Sequence, residues 1–334
     1  MARSGARPVH ERAFHAWLAD HLPAGHEGLL PLGDDAAALP APADRVAVLS
    51  TDALVEGTHF LPGSPPARVG SAASAVTLSD LAAKGARPAA ILLAVVVPVG
   101  TPATWVAAVA RGAERMAARH GAHLVGGDTK PGPVRTVVSA GLGWGRADRL
   151  APRSRARVGD LLVQTGSVGR GGVAAARLGD ARRAPARALA QLLDVRPRVR
   201  EGIALAAVAH AMLDTSDGLA EAARLLAEAS RVRVVVDEEL LPFAPGVASL
   251  ASGTGARRAI AFYGGDYELL ATIPPRSLDR ARRAVASAGG RLTRIGRVGR
   301  GRGAWLARGS TVVAMPVPGW RPFERRGRGP GPAV

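Results

Sequence analysis

The stretch VLSTDALVEGTHF, residues 48–60, takes an apolar strand directly into a group of polar side chains. Residues 46–49 have the β-branched and aliphatic composition of a buried strand. Ser50, Thr51 and Asp52 follow at once, and His59 comes shortly afterwards. Three oxygen-bearing side chains do not extend a hydrophobic core. We therefore predict that they lie at the end of the strand and hold a ligand there.

Strand and helix patterns alternate outward from this stretch, which predicts an α/β fold. In the first half we expect, in order, a strand at 46–49, a helix at 66–84, a strand at 91–97, a helix from 101 to about 121, and strands at 123–125 and 136–142. In the second half we expect a strand at 160–166, helices at 173–178, 186–193, 199–212 and from 219 to about 229, and strands at 232–236 and within 261–273. The chain divides near residue 149, which gives domains at 1–148 and 149–322 and a tail at 323–334 whose Gly, Pro and Arg content predicts disorder.

The bulk composition is that of a soluble two-domain protein. A length of 334 residues suits two domains of about 150 residues each. No run of about 18 apolar residues is present, so we expect a cytoplasmic protein without a membrane partner. The absence of cysteine excludes disulfides, thiolate metal ligands and a thiol nucleophile.

The net charge of +17 raises the possibility of a nucleic-acid partner. The positive charges are almost all arginines, scattered along the chain, and Lys84 and Lys130 are the only lysines. Aromatic residues make up 4% of the chain, which is too few for a base-stacking surface. We therefore expect no nucleic-acid partner.

A set of aspartates recurs beside Gly, Ser or Thr at the ends of predicted elements. Its members are Asp34 and Asp35 in PLGDDAAAL, Asp52 in STDA, Asp80 in TLSDLAAKGA, Asp128 in LVGGDTK, and Asp214 and Asp217 in LDTSDGL. Any one of them is explained by a turn or a helix cap. If they converge, their repulsion requires cations between them. Oxygen ligands without His or Cys select a hard ion, and Mg²⁺ bound to carboxylates and phosphates is the usual case.

The glycine-rich segments give weaker signals. The chain has no G-x-x-x-x-G-K-[ST] motif, so it is not a P-loop ATPase. GLGWG and GSVGRGG are best explained as turns. In GGDT, Gly126 and Gly127 let the backbone approach a phosphate while Asp128 offers a metal ligand. Arg153, near the domain junction, is a candidate phosphate clamp.

The motifs GDDAA, STDALVEGTHF, SDLAAKGARP, GGDT, LDTSDGL and YGGDYELL occur in the order and at the spacings of one family. Over residues 10–322 the chain resembles the thiamine-monophosphate kinase family, which is related to aminoimidazole ribonucleotide synthetase and selenophosphate synthetase. The resemblance implies a two-domain α/β, PurM-like fold. It also implies a homodimer formed by pairing of N-terminal strands, and an active site between the two domains.

The resemblance also assigns site residues and co-substrates. It implies transfer of phosphate from ATP to thiamine monophosphate, with several Mg²⁺ ions. The metal ligands would be Asp35, Ser50, Thr51, Asp52, Asp80, Asp128, Asp214 and Asp217. Contacts to ATP would come from Gly127, Asp128, Arg153 and Ser216, and contacts to thiamine monophosphate from His59 and Trp320. The family's GGEDYEL is one residue shorter here, and Asp266 is the candidate to replace the missing Glu as a substrate contact.

An acceptor that is itself a phosphate needs no general base, because it is mostly dianionic at neutral pH. We therefore expect no catalytic base and direct in-line transfer, in which cations and domain closure bring two anionic groups together. Two alternatives remain open. One is an ATP-dependent enzyme like aminoimidazole ribonucleotide synthetase, and the other is a non-catalytic paralogue that binds nucleotide.

Overall fold

The structure of the protein is a computed structural model, and it describes residues 29–30, 34–178 and 186–316. Trp320 and the tail at 323–334 lie outside the described residues, so the predictions made for them stay predictions.

The first half of the described chain forms a five-stranded sheet. Its elements in chain order are β1 (Ala37–Ala41), β2 (Arg45–Val55), α1 (Pro66–Ala83), β3 (Arg87–Val97), α2 (Ala103–Arg119), β4 (His123–Pro131) and β5 (Thr136–Arg146). The strand order is β1-β2-β5-β3-β4, antiparallel except for the parallel pair β3–β4. Helix α1 packs on this sheet, and α2 packs on α1.

The two helices approach each other very closely. A Cβ at Gly70 of α1 would lie 1.9 Å from the Val109 carbonyl oxygen, and a Cβ at Gly112 of α2 would lie 2.0 Å from that of Ala67. Both positions therefore require glycine. These contacts hold the first turns of α1 directly against α2.

The second half forms a seven-stranded sheet with helices on both sides. Its elements are β6 (Leu161–Thr165), α3 (Arg170–Leu178), α4 (Ala186–Leu192), α5 (Val199–Ala206), β7 (Ala211–Asp214), α6 (Leu219–Ser230), β8 (Arg233–Asp237), α7 (Val247–Leu250), α8 (Thr254–Ala261), β9 (Leu269–Ile273), α9 (Leu278–Ser287), β10 (Leu292–Gly299), β11 (Gly303–Arg308) and β12 (Thr311–Ala314). The strand order is β12-β11-β8-β10-β6-β9-β7. Strand β7 is therefore an edge strand, and it contacts α1 of the first half.

The hydrophobic core is continuous between the two halves. One cluster contains Val48 and Ile91 of the first sheet, Leu78 of α1, and Leu205 and Ile273 of the second half. A second cluster fills the opposite face of the second sheet. Helix α1 lies between the two sheets, and thirteen of its residues are buried. The cleft described below opens along this helix.

The strands predicted at 91–97, 123–125 and 136–142 are longer in the structure, because β3, β4 and β5 pair over Arg87–Val97, His123–Pro131 and Thr136–Arg146. Two further element predictions were wrong in extent. Strand β2 does not stop at residue 49 but continues to Val55, because all eleven of its residues pair with β5. The predicted helix at 199–212 ends at Ala206, because Ala211–Asp214 pairs with β9 as strand β7. In both cases strand pairing with a distant segment overrides the local pattern.

Among the described helices, none combines the length and the apolar character that a membrane span requires.

Candidate active site

Three elements bring the predicted aspartates together. Along β2 the side chains alternate, so Ser50 and Asp52 point to the same face as the buried Val48 and Leu54, towards α1. Ser50 Oγ donates a hydrogen bond to Asp80, near the C-terminal end of α1. The polar residues that follow residue 49 therefore lie within the strand, not at its end, and Ser50 and Asp52 face the helix.

The last residue of β7, Asp214, approaches the same end of α1. Its Oδ2 accepts a hydrogen bond from Ser79 Oγ at 2.7 Å, and its Oδ1 accepts one from Ser216 Oγ at 2.8 Å. Ligand atoms of Asp35, Asp80 and Asp214 all lie within 4.8 Å of one another. Three carboxylates far apart in sequence thus meet between the two sheets.

The proximity of these three carboxylates disfavours the ionisation of all of them at once. Burial, followed by the charges of Asp52, Asp214 and Asp35, raises the pKa of Asp80 well above its ordinary value. Burial and the charge of Asp35 also raise the pKa of Asp214. This electrostatic situation favours the binding of a cation.

A buried lysine and a partly buried arginine neutralise the other end of the cluster. Lys84 Nζ lies 2.6 Å from Asp34 Oδ1 and 2.7 Å from Asp35 Oδ2, and Arg153 also pairs with Asp35. Burial alone would raise the pKa of Asp35, but the charges of Arg153 and Lys84 outweigh it and hold that pKa below its ordinary value. Sequence reasoning gave no role to Lys84, although a lysine at the end of the apolar segment SDLAAK was a visible signal.

A cleft of about 600 Å³ lies over the aspartates. Its polar end is lined by Asp52, Asp80, Asp214, Ser216 and Asp217. Its other end is lined by apolar side chains, among them Leu61, Ala72, Val76, Leu193 and Val195. Residues from both halves of the chain form its walls, so the cleft has the interdomain position that the resemblance implied.

His59 lines this cleft and is still partly exposed. Its Nδ1 accepts a hydrogen bond from the Val55 amide at 3.1 Å, and partial burial lowers its pKa. A neutral ring whose Nδ1 accepts must carry its proton on Nε2. His59 therefore carries its ring proton on Nε2.

Tyr267 is a cleft residue that sequence reasoning missed. It is the tyrosine of the shortened GGDYEL segment, and its φ of 51° is the left-handed conformation that L-residues rarely adopt. Burial and then the charges of Asp52, Asp214 and Asp217 raise its pKa well above the ordinary value, so the hydroxyl remains protonated. It lies in the same cleft as these carboxylates.

Asp266, the predicted substitute for the missing glutamate, is bound by backbone amides. It is buried, and its carboxylate accepts hydrogen bonds from the Gly169 and Gly171 amides at 2.7 and 2.9 Å. It is not among the residues that line the cleft. Asp266 therefore holds the loop GSVGRGG at the start of α3, and its contact with the substrate stays a prediction.

The buried carboxyl group of Asp266 leads to a prediction about how the stability of the fold depends on pH. Burial raises its pKa to about 7, although the Gly169 and Gly171 amides and Arg170 oppose the shift. Between pH 4 and 7 the unfolded chain ionises this group while the folded chain does not, so stability is lost as the pH rises through that range. The wild type should lose up to about 4 kcal/mol relative to Asp266→Asn between pH 4 and 7, and little more above pH 7. Denaturant unfolding of both proteins at each pH checks this, and a difference that is independent of pH would contradict it.

Three predicted site residues are not brought into the cluster. The Thr51 side chain lies on the opposite face of β2 from Ser50 and Asp52, and its hydroxyl donates to the Ser139 carbonyl at 3.0 Å. Asp128 is exposed on the edge strand β4 and pairs with Lys130 at 2.9 Å. A Cβ at Gly127 would lie 1.9 Å from the Leu93 carbonyl oxygen, so close pairing with β3 already requires this glycine.

The donor set fits a hard divalent cation. Asp80 and Asp214 are acceptors that form no ion pair with any described residue, and hydroxyl oxygens surround them. Oxygen-only ligation of this kind suits Mg²⁺. The residues that would hold it are Asp80, Asp214 and Asp35.

Comparison with known proteins agrees with this architecture. The family model for the N-terminal domain of AIR synthase related proteins matches residues 33–147, and that for the C-terminal domain matches residues 157–305. The thiamine-monophosphate kinase of Synechococcus elongatus is 36% identical over 274 residues, covering 75% of this chain and 82% of that protein. That of Halobacterium salinarum is 39% identical over 268 residues, covering 80% and 87%. The chain belongs to the thiamine-monophosphate kinase family. It is therefore an enzyme of the kinase class.

Solved structures confirm the predicted two-domain α/β, PurM-like fold. The structure described as AaThiL complexed with AMPPCP and TMP has a TM-score of 0.79 at 26% identity, covering 95% of this chain and 99% of that one. The thiamine-monophosphate kinase of Stenotrophomonas maltophilia K279a has a TM-score of 0.73 at 32% identity, covering 90% and 98%.

Proposed function

We propose that the protein transfers the terminal phosphoryl group of ATP to thiamine monophosphate, giving ADP and thiamine diphosphate. The observation that carries this proposal is the two-ended cleft, with carboxylates at one end and apolar side chains at the other. The relatives named above are thiamine-monophosphate kinases, and AaThiL was solved with AMPPCP, an ATP analogue, and TMP.

The two ends of the cleft suit the two ends of this substrate. The apolar side chains of Leu61, Val76 and Leu193 offer a surface for the thiamine rings. His59 lines the same cleft and remains the proposed contact of the thiamine phosphate group. Trp320 remains a proposed ring contact, outside the described residues.

The chemistry requires charge neutralisation more than proton transfer. The acceptor phosphate is already mostly dianionic near pH 7, so no base is assigned. Bound Mg²⁺ would neutralise the phosphate oxygens of the donor and acceptor. Ser50, Ser79 and Ser216 orient the carboxylates of Asp80 and Asp214, which leaves other carboxylate oxygen lone pairs for the ion. We propose direct in-line transfer in this setting.

The proposed contacts with ATP are supported to different degrees by the structure. Ser216 lines the cleft beside Asp214, which supports a role at the phosphates. Arg153 is engaged by Asp34 and Asp35, so its charge acts on the cluster through them. Gly127 and Asp128 lie on β4, and a contact with ATP would place part of the nucleotide along that edge strand.

One assay tests the function. Purified protein is incubated with ATP, Mg²⁺ and either thiamine monophosphate, thiamine or formylglycinamidine ribonucleotide, and ADP and phosphorylated products are measured by chromatography. Thiamine diphosphate formed from the monophosphate, in a one-to-one ratio with ADP, supports the proposal. Turnover of the ribonucleotide alone would identify the aminoimidazole ribonucleotide synthetase-like alternative, and no turnover at all would favour the non-catalytic paralogue. Label from ATP trapped on the protein would contradict direct transfer.

We also propose that a second copy of the chain covers the outer face of the first sheet. Leu49 and Leu92 are exposed on this face, 39% and 50% respectively, and Leu142 is paired directly with Leu49. The edge strand β4 is exposed along nearly its whole length. An apolar sheet face beside an unpaired edge is the arrangement that self-association covers.

The dimer gives a prediction about Leu92. A charge at this position would be buried without a partner in the interface, so Leu92→Glu should shift the protein from dimer to monomer at micromolar concentration. Light scattering after size exclusion measures the mass, and Val99→Glu, on an exposed turn, is the matched control. A monomeric wild type would contradict the proposal.

A further inference from the structure

The side chain of Lys84 is enclosed by oxygen atoms. Its Nζ lies 2.6 Å from Asp34 Oδ1, 2.7 Å from Asp35 Oδ2, 2.8 Å from the Met212 carbonyl oxygen and 3.5 Å from that of Ala151. The residue is 1% exposed. Two carboxylates and two carbonyls are the kind of oxygen-only shell that proteins also build around hard metal cations.

The position of Lys84 is fixed by the helix that also carries a proposed metal ligand. Lys84 directly follows α1, and Asp80 lies four residues before it, on the same side of the helix. The C-terminal end of a helix favours a positive charge. The carbonyls of Ala151 and Met212 belong to the second half of the chain, so the ammonium group also joins the two halves.

The cluster therefore divides into two parts. Asp34 and Asp35 carry two negative charges and are paired with the two positive charges of Lys84 and Arg153. Asp80 and Asp214 make no ion pair with a described residue, and hydroxyl donors serve them instead. Asp35 belongs to both parts, because its ligand atom lies within 4.8 Å of those of Asp80 and Asp214.

We propose that Lys84 is a positioning residue, an internal cation that takes the place of a metal ion at the Asp34–Asp35 end of the cluster. It holds Asp35 in place before any divalent ion binds, so the divalent ions are needed only at the Asp80–Asp214 end. This inference rests on the proposed metal site, but it does not depend on which acceptor the enzyme phosphorylates.

The proposal predicts that removing the ammonium charge strengthens divalent binding. In Lys84→Gln the amide still donates a hydrogen bond, but one unit of positive charge next to Asp35 is lost. The dissociation constant for Mn²⁺, measured by electron paramagnetic resonance without nucleotide or thiamine phosphate, should fall about tenfold or more. The melting temperature in EDTA should also fall, and Mg²⁺ should raise it more in the variant than in the wild type.

The matched control is Arg282→Gln, which removes the same charge from the exposed surface of α9. Its Mn²⁺ affinity should equal that of the wild type. A Lys84→Gln variant with wild-type Mn²⁺ affinity, or one that stays unfolded at every Mg²⁺ concentration, would overturn the proposal. Because no substrate is present, failure of the kinase assay and failure of this inference are separate results.

Discussion

Replacing Asp80 by asparagine is expected to lower kcat about 10³-fold while leaving the fold intact. Asp80 lies between Ser50 and the other carboxylates and is a proposed ligand of the ion that neutralises the phosphates. Loss of such a ligand removes several kcal/mol of transition-state stabilisation, and about 4 kcal/mol corresponds to about 10³ in rate. Steady-state kinetics with saturating ATP and acceptor measure the change.

The stability of the same variant should move in the opposite direction. The pKa of Asp80 is raised in the folded state, so the wild type loses stability as the pH rises above the ordinary aspartate value. Asparagine has no charge to repel Asp35 and Asp214. Without divalent ions at pH 7, Asp80→Asn should therefore be at least as stable as the wild type, whereas the exposed Asp279→Asn should change neither rate nor stability. An active Asp80→Asn enzyme would exclude the proposed site.

Replacing Glu268 by alanine is expected to lower the free energy of unfolding by about 3–5 kcal/mol. Glu268 is 1% exposed, its carboxylate pairs with Arg198, and Thr165 Oγ1 donates to it at 2.8 Å. Removal of one partner leaves the guanidinium of Arg198, itself mostly buried, without this counter-charge. Denaturant titration with a two-state fit measures the loss.

Two matched variants separate the ion pair from side-chain volume. Glu268→Gln keeps the shape and one hydrogen bond, so it should cost less than the alanine variant. Glu239→Ala, at an exposed glutamate, should change stability by no more than about 0.5 kcal/mol. In a double-mutant cycle, Arg198→Ala should cost much less in the Glu268→Ala background than in the wild type. Strict additivity would show that the pair is not coupled.

The sequence was sufficient to predict the alternation of strands and helices and to identify the aspartates that converge. Asp80 and Asp214 are recognisable because each interrupts an apolar segment beside serine or threonine. Ser79, next to Asp80, donates to Asp214, and Asp80 accepts from Ser50 of β2. Motif order identified the family because it extends over both domains. These signals lie in short segments or in the order of the motifs along the chain, so they can be recognised without knowledge of the fold.

Other features depend on pairing between distant segments and could not be predicted. Strand β2 extends through Ser50 and Asp52 because β5 offers partners along its whole length. Asp266 follows two glycines, as a ligand would, yet the Gly169 and Gly171 amides that it binds are almost a hundred residues away. Lys84 is one helical turn from Asp80, but the oxygens around its ammonium group come from three other segments, and no local pattern contains them.

The central claim is that carboxylates from both domains bind the divalent ions used in phosphoryl transfer. Crystals grown with Mn²⁺ and AMPPCP test it most directly, because the anomalous scattering of manganese locates each ion. The account predicts a peak within about 2.5 Å of oxygens of both Asp80 and Asp214, between the two sheets. Manganese found only beside the exposed Asp128, with none between Asp80 and Asp214, would contradict it.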